Sequence, residues 1–374
     1  MAVIDTVLLK VASRCNLDCS YCYVFNMGDD GWRRQPKRLA HATLGKIVEQ
    51  IGELYDRQQR SFSIVLHGGE PLLLGRDRLE AVFSALSARL PQCGLHVQTN
   101  GTLLDVPIVD VIARYRVGVS ISLDGPENVT DAFRVDHRGA GSFARVMAGI
   151  AALRAHPAGE SLFSGLLAVV DPHTDPGEIY HFFKRVQTSS VDFLYRDGNH
   201  NVLPFGKAEL ASVEYGEWMC AILDLYLADP SPPRIRVLDD MIKLSLGGLA
   251  RKEGVGVSDY GIVVIDTDGS IAKNDTLKTA VAGADMFSTK WSVHTHRLAD
   301  IVATPEFQAY HEAQRPSSAV CATCPDLAVC GGGMPAHRWS AERGLDNPSV
   351  FCADQKLLIA RIRDWLSTQR SHAA

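Results

Sequence analysis

The 374-residue chain has no apolar run near the ~18 residues that a membrane-spanning helix needs. Its first residues lack the charged and apolar regions of an export signal. It also lacks basic excess: 38 Lys and Arg against 43 Asp and Glu leave a net charge of −5. No global field therefore favours nucleic acid. There is no internal repeat and no low-complexity tract. Core-forming residues are not short, at 46% hydrophobic and 22% charged, ordinary for a soluble globular protein. The expectation is a cytoplasmic protein with no membrane and no nucleic-acid partner. Nine cysteines without an export signal argue for metal or redox use in a reducing compartment rather than disulfides. The length fits two or three domains, or one large barrel with an appendage. The one basic stretch, Arg33 to Arg38, reads as a solvated loop or as a lip over a site that meets an acidic substrate.

The first two-thirds alternates apolar β-type runs with amphipathic stretches. Strands are expected at 4–11, 62–66, 95–98, 117–123, 162–170 and 191–194. Helices are expected at 43–58, 76–90, 106–114, 142–154 with Ser142 as N-cap, and 176–186. Strands alternating with helices imply βαβ units and a parallel sheet. Six such units give an open rather than a closed eight-fold barrel. A long helix is expected over 206–228, a break at Pro230-Ser231-Pro232-Pro233, and one more helix over 237–249. From Gly254 on come short strands, glycine-rich turns and most of the remaining cysteines.

Three cysteines lie within eight residues, Cys15, Cys19 and Cys22, a C-x3-C-x2-C array. Three thiolates at this spacing can hold three irons of a cubane and leave the fourth open, since full ligation takes four cysteines. An open metal position is how a metal site performs chemistry. Spacing alone also admits a zinc knuckle or three buried thiols. Further motifs follow successive strands: His67-Gly68-Gly69-Glu70-Pro71, then Gln98-Thr99-Asn100-Gly101, then Ser122-Leu123-Asp124-Gly125, with Arg134 ten residues beyond Asp124. Each alone reads as a turn. In βα barrels, however, sites form at the C-terminal ends of the strands. Near the C-terminus, Cys321, Cys324, Cys330 and Cys352 make C-x2-C-x5-C-x21-C, which fits zinc or a [4Fe–4S] cluster. Gly331, Gly332 and Gly333 let backbone N–H groups approach cluster sulfides. Cys93 and Cys220 read as ordinary partly buried residues.

The cysteine array, with Tyr21 before its last cysteine, resembles the radical S-adenosylmethionine (SAM) enzymes. So do the motifs after strands two to four, and the resemblance covers roughly residues 4–200. It implies an α/β fold, a partial (β/α)6 barrel over 1–230. A helical linker over 231–255 follows, then a small cysteine-rich domain over 256–374. It implies two cofactors at the first site, SAM and a [4Fe–4S] cluster on Cys15, Cys19 and Cys22. SAM contacts then fall to Tyr21, Gly68, Gly69, Glu70, Gln98, Asn100, Ser122 and Arg134, with Leu194 flanking the adenine.

The C-terminal region resembles the SPASM domain, the auxiliary-cluster domain of radical SAM enzymes that modify peptides. It implies a second [4Fe–4S] cluster on Cys321, Cys324, Cys330 and Cys352. The full SPASM pattern has seven cysteines and two clusters. Here Met334 and Asn274 stand where further cysteines are expected, so one auxiliary cluster is expected to be absent. The segments 261–278 and 330–352 resemble maturases that form cyclophanes in ribosomally made peptides, joining an aromatic ring carbon to a β-carbon. That resemblance implies a precursor peptide with a leader and a reducing partner such as flavodoxin or ferredoxin. It makes Asp275 the base that removes a proton after radical formation. It leaves two rivals, formylglycine formation by an anaerobic sulfatase maturase and thioether formation in a peptide, and, from a different class, a non-catalytic iron–sulfur or zinc binding scaffold, against which residues 68–71 and Ser122 speak. No winged-helix recognition domain precedes Cys15.

Overall fold

The computed structural model describes residues 2–250 and 252–373, except the side chains of 370–373. By its contacts the chain forms two compact units, Met1–Leu167 with Gly261–His311, and Ala168–Tyr260 with Glu312–Ala374. In chain order the strands are β1 (Thr6–Ala12), β2 (Ser63–Gly68), β3 (Gly94–Thr99), β4 (Gly118–Ser122), β5 (Phe163–Val169), β6 (Ser190–Leu194), β7 (Arg234–Ile235), β8 (Ile262–Ile265) and β9 (Ile271–Ala272).

In the first unit the sheet runs β5-β4-β3-β2-β1-β8-β9. Neighbours from β5 to β8 are parallel and β9 is antiparallel to β8. The sheet is open, as a partial barrel requires. β1 lies between β2 and β8, and six of its seven residues are buried. A strand covered on both faces reads as a continuous apolar run. Lys10 is the exception, and the register sets it beside His67 of β2 and next to the end of β8, where Leu9 pairs Ile265. The register then slips between Lys10 and Ala12, where β1 hands over to the cysteine loop.

Most expected helices are present: His41–Gln58, Arg76–Arg89, Val106–Arg114 and Phe143–Ala155 in the first unit, Pro176–Val186 in the second. Ser142 does occupy the N-cap, but its hydroxyl is buried and has no partner among the described residues. The cap is Asp131 instead, whose Oδ1 accepts from the N–H of Ser142 and of Phe143, each at 2.8 Å.

In the second unit β6 and β7 form a parallel pair. The long helix expected from 206 begins only at Glu214. Residues 207–212 are folded into turns by their own side chains: Lys207 Nζ donates to Ser212 O at 2.5 Å, and Glu214 accepts from Ala208 N at 3.1 Å. The helix Arg236–Ser245 stops short of 249 at Gly247, whose φ is +82°. The terminal helix Cys352–Ala373 is pinned by a fully buried ion pair, Lys207 Nζ to Asp354 Oδ2 at 2.7 Å. The other Asp354 oxygen accepts from Gly216 N at 2.8 Å. Among the described residues no helix is long and apolar enough to cross a membrane.

Candidate active site

Cys15, Cys19 and Cys22 sit in one loop directly after β1. Leu17 N donates to Cys15 Sγ at 3.4 Å, and Cys22 N donates to Cys19 O at 2.9 Å. The loop is laced to segment 133–137: Asp18 N donates to Val135 O, Ser20 N to Phe133 O, and the His137 ring lies 3.0 Å from Cys15 O. Burial pushes the Cys15 thiol up to about 12, with the Glu70 charge adding to it. Burial likewise pushes Cys19 up to about 11, against the pull of Arg134. Iron can bind here only by displacing protons, as thiolate ligation requires.

The Gly-Gly-Glu-Pro loop lies flat on the lead-in to those cysteines. Gly69 N donates to Ala12 O at 2.8 Å and Glu70 N to Arg14 O at 2.9 Å. A Cβ on Gly68, whose φ is +136°, would come within 2.0 Å of Ala12 O, and one on Gly69 within 2.3 Å of Arg14 O. The backbone of residues 12–14 is thus one reason for the two glycines. Glu70 is fully buried. Its Oε1 accepts from Leu72 N at 2.9 Å and from the Thr99 hydroxyl at 2.7 Å, and its Oε2 from Asn100 N at 2.8 Å. With these bonds Glu70 ties the ends of β2 and β3 together.

Asn100 completes the tie, donating to Asn16 Oδ1 at 2.9 Å and reaching Cys15 Sγ at 3.7 Å. Gln98 donates to the Ser122 hydroxyl at 3.0 Å. Tyr21 donates to Asp124 and accepts from Arg134 at 2.8 Å, so the aromatic of the cysteine loop is anchored to the end of β4. Arg134 Nε is buried with no partner among the described residues. A buried guanidinium with a spare donor beside a three-thiol loop fits a ligand that carries a carboxylate. The residues present therefore fit a cluster with an open iron and SAM. Leu194 ends β6 in the second unit.

Asp275 is not a solvated turn acid. It is 1% exposed and opens a short 3-10 helix, Asp275–Thr279, just past β9. Lys10 Nζ lies 2.8 Å from Asp275 Oδ2 and 3.3 Å from Asp266 Oδ2. Beside them Lys278 Nζ is 3.4 Å from Asp29 and 3.5 Å from Asp285. Burial pulls the Lys10 ammonium down, but Asp275, Asp266 and Asp285 outweigh it and hold it well above its ordinary value. Burial raises the Asp285 carboxyl and lowers the His67 imidazole, whose Nδ1 has no partner among the described residues. Four carboxylates face two ammonium groups and a neutral imidazole. Asp266, which shares the turn with Asp268, belongs to this cluster.

Sequence reasoning missed Lys10, Asp29, His67, Asp266, Lys278 and Asp285 as a group. One signal was available: a lysine inside an otherwise apolar run destined for a central strand.

In the second unit Cys321, Cys324, Cys330 and Cys352 all line one cavity, with Leu327, Gly332, Ser349 and Lys356 among its walls. Gly331, Gly332 and Gly333 all have positive φ, +69°, +84° and +68°. A Cβ on Gly331 would meet Gly256 O at 2.0 Å. The Gly332 N–H bonds Cys330, lowering its thiol against a burial effect that pushes it up to about 11. Four thiols around one cavity with an inward N–H fit a fully ligated cubane. Among the described residues no three His, Cys, Asp or Glu side chains converge as a single ion would need.

Residues 9–184 match the family model of the Radical SAM superfamily. With the three-thiol loop and the motifs behind it, this gives the chain a radical SAM domain over those residues. A serine-type anaerobic sulfatase-maturating enzyme of Bacteroides thetaiotaomicron is 26% identical over 366 residues, covering 89% of this chain and 83% of that protein. The structure of anSMEcpe with bound AdoMet superposes with a TM-score of 0.81 at 18% identity, over 97% of this chain and 98% of the other. Streptococcus suis SuiB bound to its precursor peptide SuiA gives 0.58 at 13% identity, over 90% of this chain and 73% of the other. These two likenesses show the fold.

Proposed function

We propose that this chain is a peptide maturase that forms a C–C cross-link, aromatic ring carbon to β-carbon, in a ribosomally made precursor. The support for a peptide substrate is the full-length relation to sulfatase-maturating enzymes and the shared fold with SuiB. The observation that carries the finer reading is the reduced cysteine set. One complete four-thiol cavity remains, while Asn274 caps the Asp275 turn through Thr276 N and Met334 precedes the turn Pro335–Arg338. Nine free thiols and two oxygen-sensitive clusters suit the cytoplasm and a reductant such as flavodoxin or ferredoxin.

When bound, SAM and the first cluster supply a deoxyadenosyl radical able to remove a β-hydrogen. This chain's own residues then serve the proton. Ring rearomatisation releases one proton and one electron. Asp275 accepts the proton: Lys10 stands at its Oδ2, its Oδ1 has no hydrogen-bond partner among the described residues, and its cluster is short of positive charge. Lys10, 2.8 Å from its Oδ2, holds it in place until then. Asp275→Asn keeps the shape and removes the basicity. It should leave deoxyadenosine release intact and lower cyclised product by about 10²–10⁴, the usual span for a general base.

The deciding experiment is co-expression with the neighbouring precursor. Mass spectrometry should show loss of two hydrogens per link, with no fragmentation inside the ring. Hydrazide trapping separates this from serine-derived formylglycine, which also loses two hydrogens. A trapped aldehyde or a thioether would reject the cross-linking assignment.

A further inference from the structure

Arg338 ends the short 3-10 turn Pro335–Arg338 and is 0% exposed. Among the described residues only its Nη2 is bound, to Ala313 O at 2.7 Å and Gln314 O at 2.9 Å. Its Nε and Nη1 are buried, and among the described residues they have no hydrogen-bond partner and no carboxylate stands within 4.0 Å of the side chain. Its backbone is fixed as well, since Asn347 Nδ2 donates to Arg338 O at 2.9 Å. An unpaired buried guanidinium costs several kcal/mol, so folds rarely keep one without a counter-charge. Lys207, another buried cation of this unit, has its carboxylate.

The ionisable groups whose charge acts on Arg338 are the thiols of Cys321 and Cys330. Burial pulls its pKa down to about 10, and Cys321 and Cys330 oppose that fall. Reciprocally, burial raises Cys321, Cys352 adds to the rise, and Arg338 pulls against it. Both cysteines line the four-thiol cavity. Lys356 also lines it but is exposed, so water screens its charge. The turn that carries Arg338 is bonded to the segment leading into Cys352, with Val350 N donating to His337 O at 2.9 Å beside the cavity-lining Ser349, and this ties a buried cation to the cavity wall.

We propose that Arg338 is the counter-charge of the four-cysteine site and sets the reduction potential of the cluster held there. The proposal rests on the auxiliary-cluster reading above. Four thiolates give that cluster net negative charge, and one-electron reduction adds one more. A fixed positive charge in a low-dielectric setting favours the reduced form, and net charge and hydrogen bonds to sulfur are what set such potentials. The cluster is thereby poised to accept the electron that ring rearomatisation releases.

The test uses the full chain reconstituted anaerobically in a Cys15→Ala, Cys19→Ala, Cys22→Ala background, so that only the auxiliary cluster is loaded. Iron content and an EPR-monitored redox titration are read for Arg338, Arg338→Lys and Arg338→Gln. Arg338→Gln should lower the reduced-to-oxidised ratio at the parental midpoint about tenfold or more, a shift of about 59 mV for one electron. Arg338→Lys should recover most of it, because it restores charge without the guanidinium's shape. An unchanged midpoint in Arg338→Gln at full iron content overturns the proposal and leaves the cluster reading intact. If Arg338→Gln cannot hold iron, Arg338→Lys decides: a near-parental midpoint supports the charge account and a large fall overturns it. Absence of auxiliary iron in the Arg338 parent overturns the cluster reading itself.

Discussion

At the scale of single residues, Glu70 shows how a motif residue also serves the fold, through the hydrogen bonds it accepts from Leu72, Thr99 and Asn100. Burial pushes its carboxyl up to about 6, although the N–H groups of Asn100 and Leu72 and the Thr99 hydroxyl pull the other way. The folded value exceeds the ordinary 4.5, so between the two the folded state binds more protons. Ionised Glu70 is therefore a cost at neutral pH, relieved as pH falls through about 6 towards 4.5. Relative to Glu70→Gln, the cofactor-free protein should gain roughly 2 kcal/mol of stability once titration is complete, following 1.36 kcal/mol per pKa unit. Urea unfolding of both proteins across this range measures the difference. A difference that is flat or falls on acidification would mean that the three donors, not burial, govern this carboxyl. The Glu70 motif was legible in the sequence because its residues are contiguous. The Lys10–Asp275 cluster was not. Its members come from segments as far apart as Lys10 and Asp285, and only strand register brings Lys10 beside His67 and Asp266.

At the scale of elements, apolar period located the strands and helices, and local hydrogen bonding set the ends. Val106–Arg114 and Pro176–Val186 fall where the sequence places them, because Asp105 and Asp175 cap them with their own side chains and a proline enters the first turn. The helix at Glu214 starts late because Lys207, Ser212 and Glu214 satisfy the preceding backbone in turns. Such side-chain competition leaves no mark on apolar period. The β2 end makes the point testable. Gly68 has φ +136° and a Cβ there would sit 2.0 Å from Ala12 O, a backbone atom that cannot swing aside. Gly68→Ala should cost about 1–3 kcal/mol or more, the range for overpacking, and displace the loop that leads to Cys15. Gly139→Ala is the control: its φ is +80° but nothing lies within 4 Å, so it should cost only about 1 kcal/mol of backbone strain. Urea midpoints separate the two, and SAM binding by calorimetry should weaken only in the first. Equal costs would show that φ alone, not the contact with Ala12, requires glycine at 68.

At the scale of the whole molecule, each compact unit carries its own complete cysteine set. Cys15, Cys19 and Cys22 lie in Met1–Leu167, and Cys321, Cys324, Cys330 and Cys352 all lie in Glu312–Ala374. The hydrogen bonds that organise the first set come from Asn16, Asn100 and residues 133–137, all within the first unit. Those that organise the second set come from Gly332 and from the Lys207–Asp354 pin of the terminal helix, all within the second. Neither set draws its internal order from the other unit, so each should load and fail separately. The reconstituted protein should bind about eight irons, from two four-iron cubanes. Cys321→Ala with Cys324→Ala should bind about four, keep releasing deoxyadenosine from SAM, and yield little linked peptide. Cys15→Ala with Cys19→Ala and Cys22→Ala should also bind about four irons but release no deoxyadenosine, because the open iron is gone. Iron assay, chromatography of SAM products and peptide mass spectrometry on the same three preparations give the full pattern. Zinc in place of iron at Cys321–Cys352 would remove the electron acceptor from this account. Deoxyadenosine from the N-terminal triple variant would place the radical chemistry outside the cysteine loop.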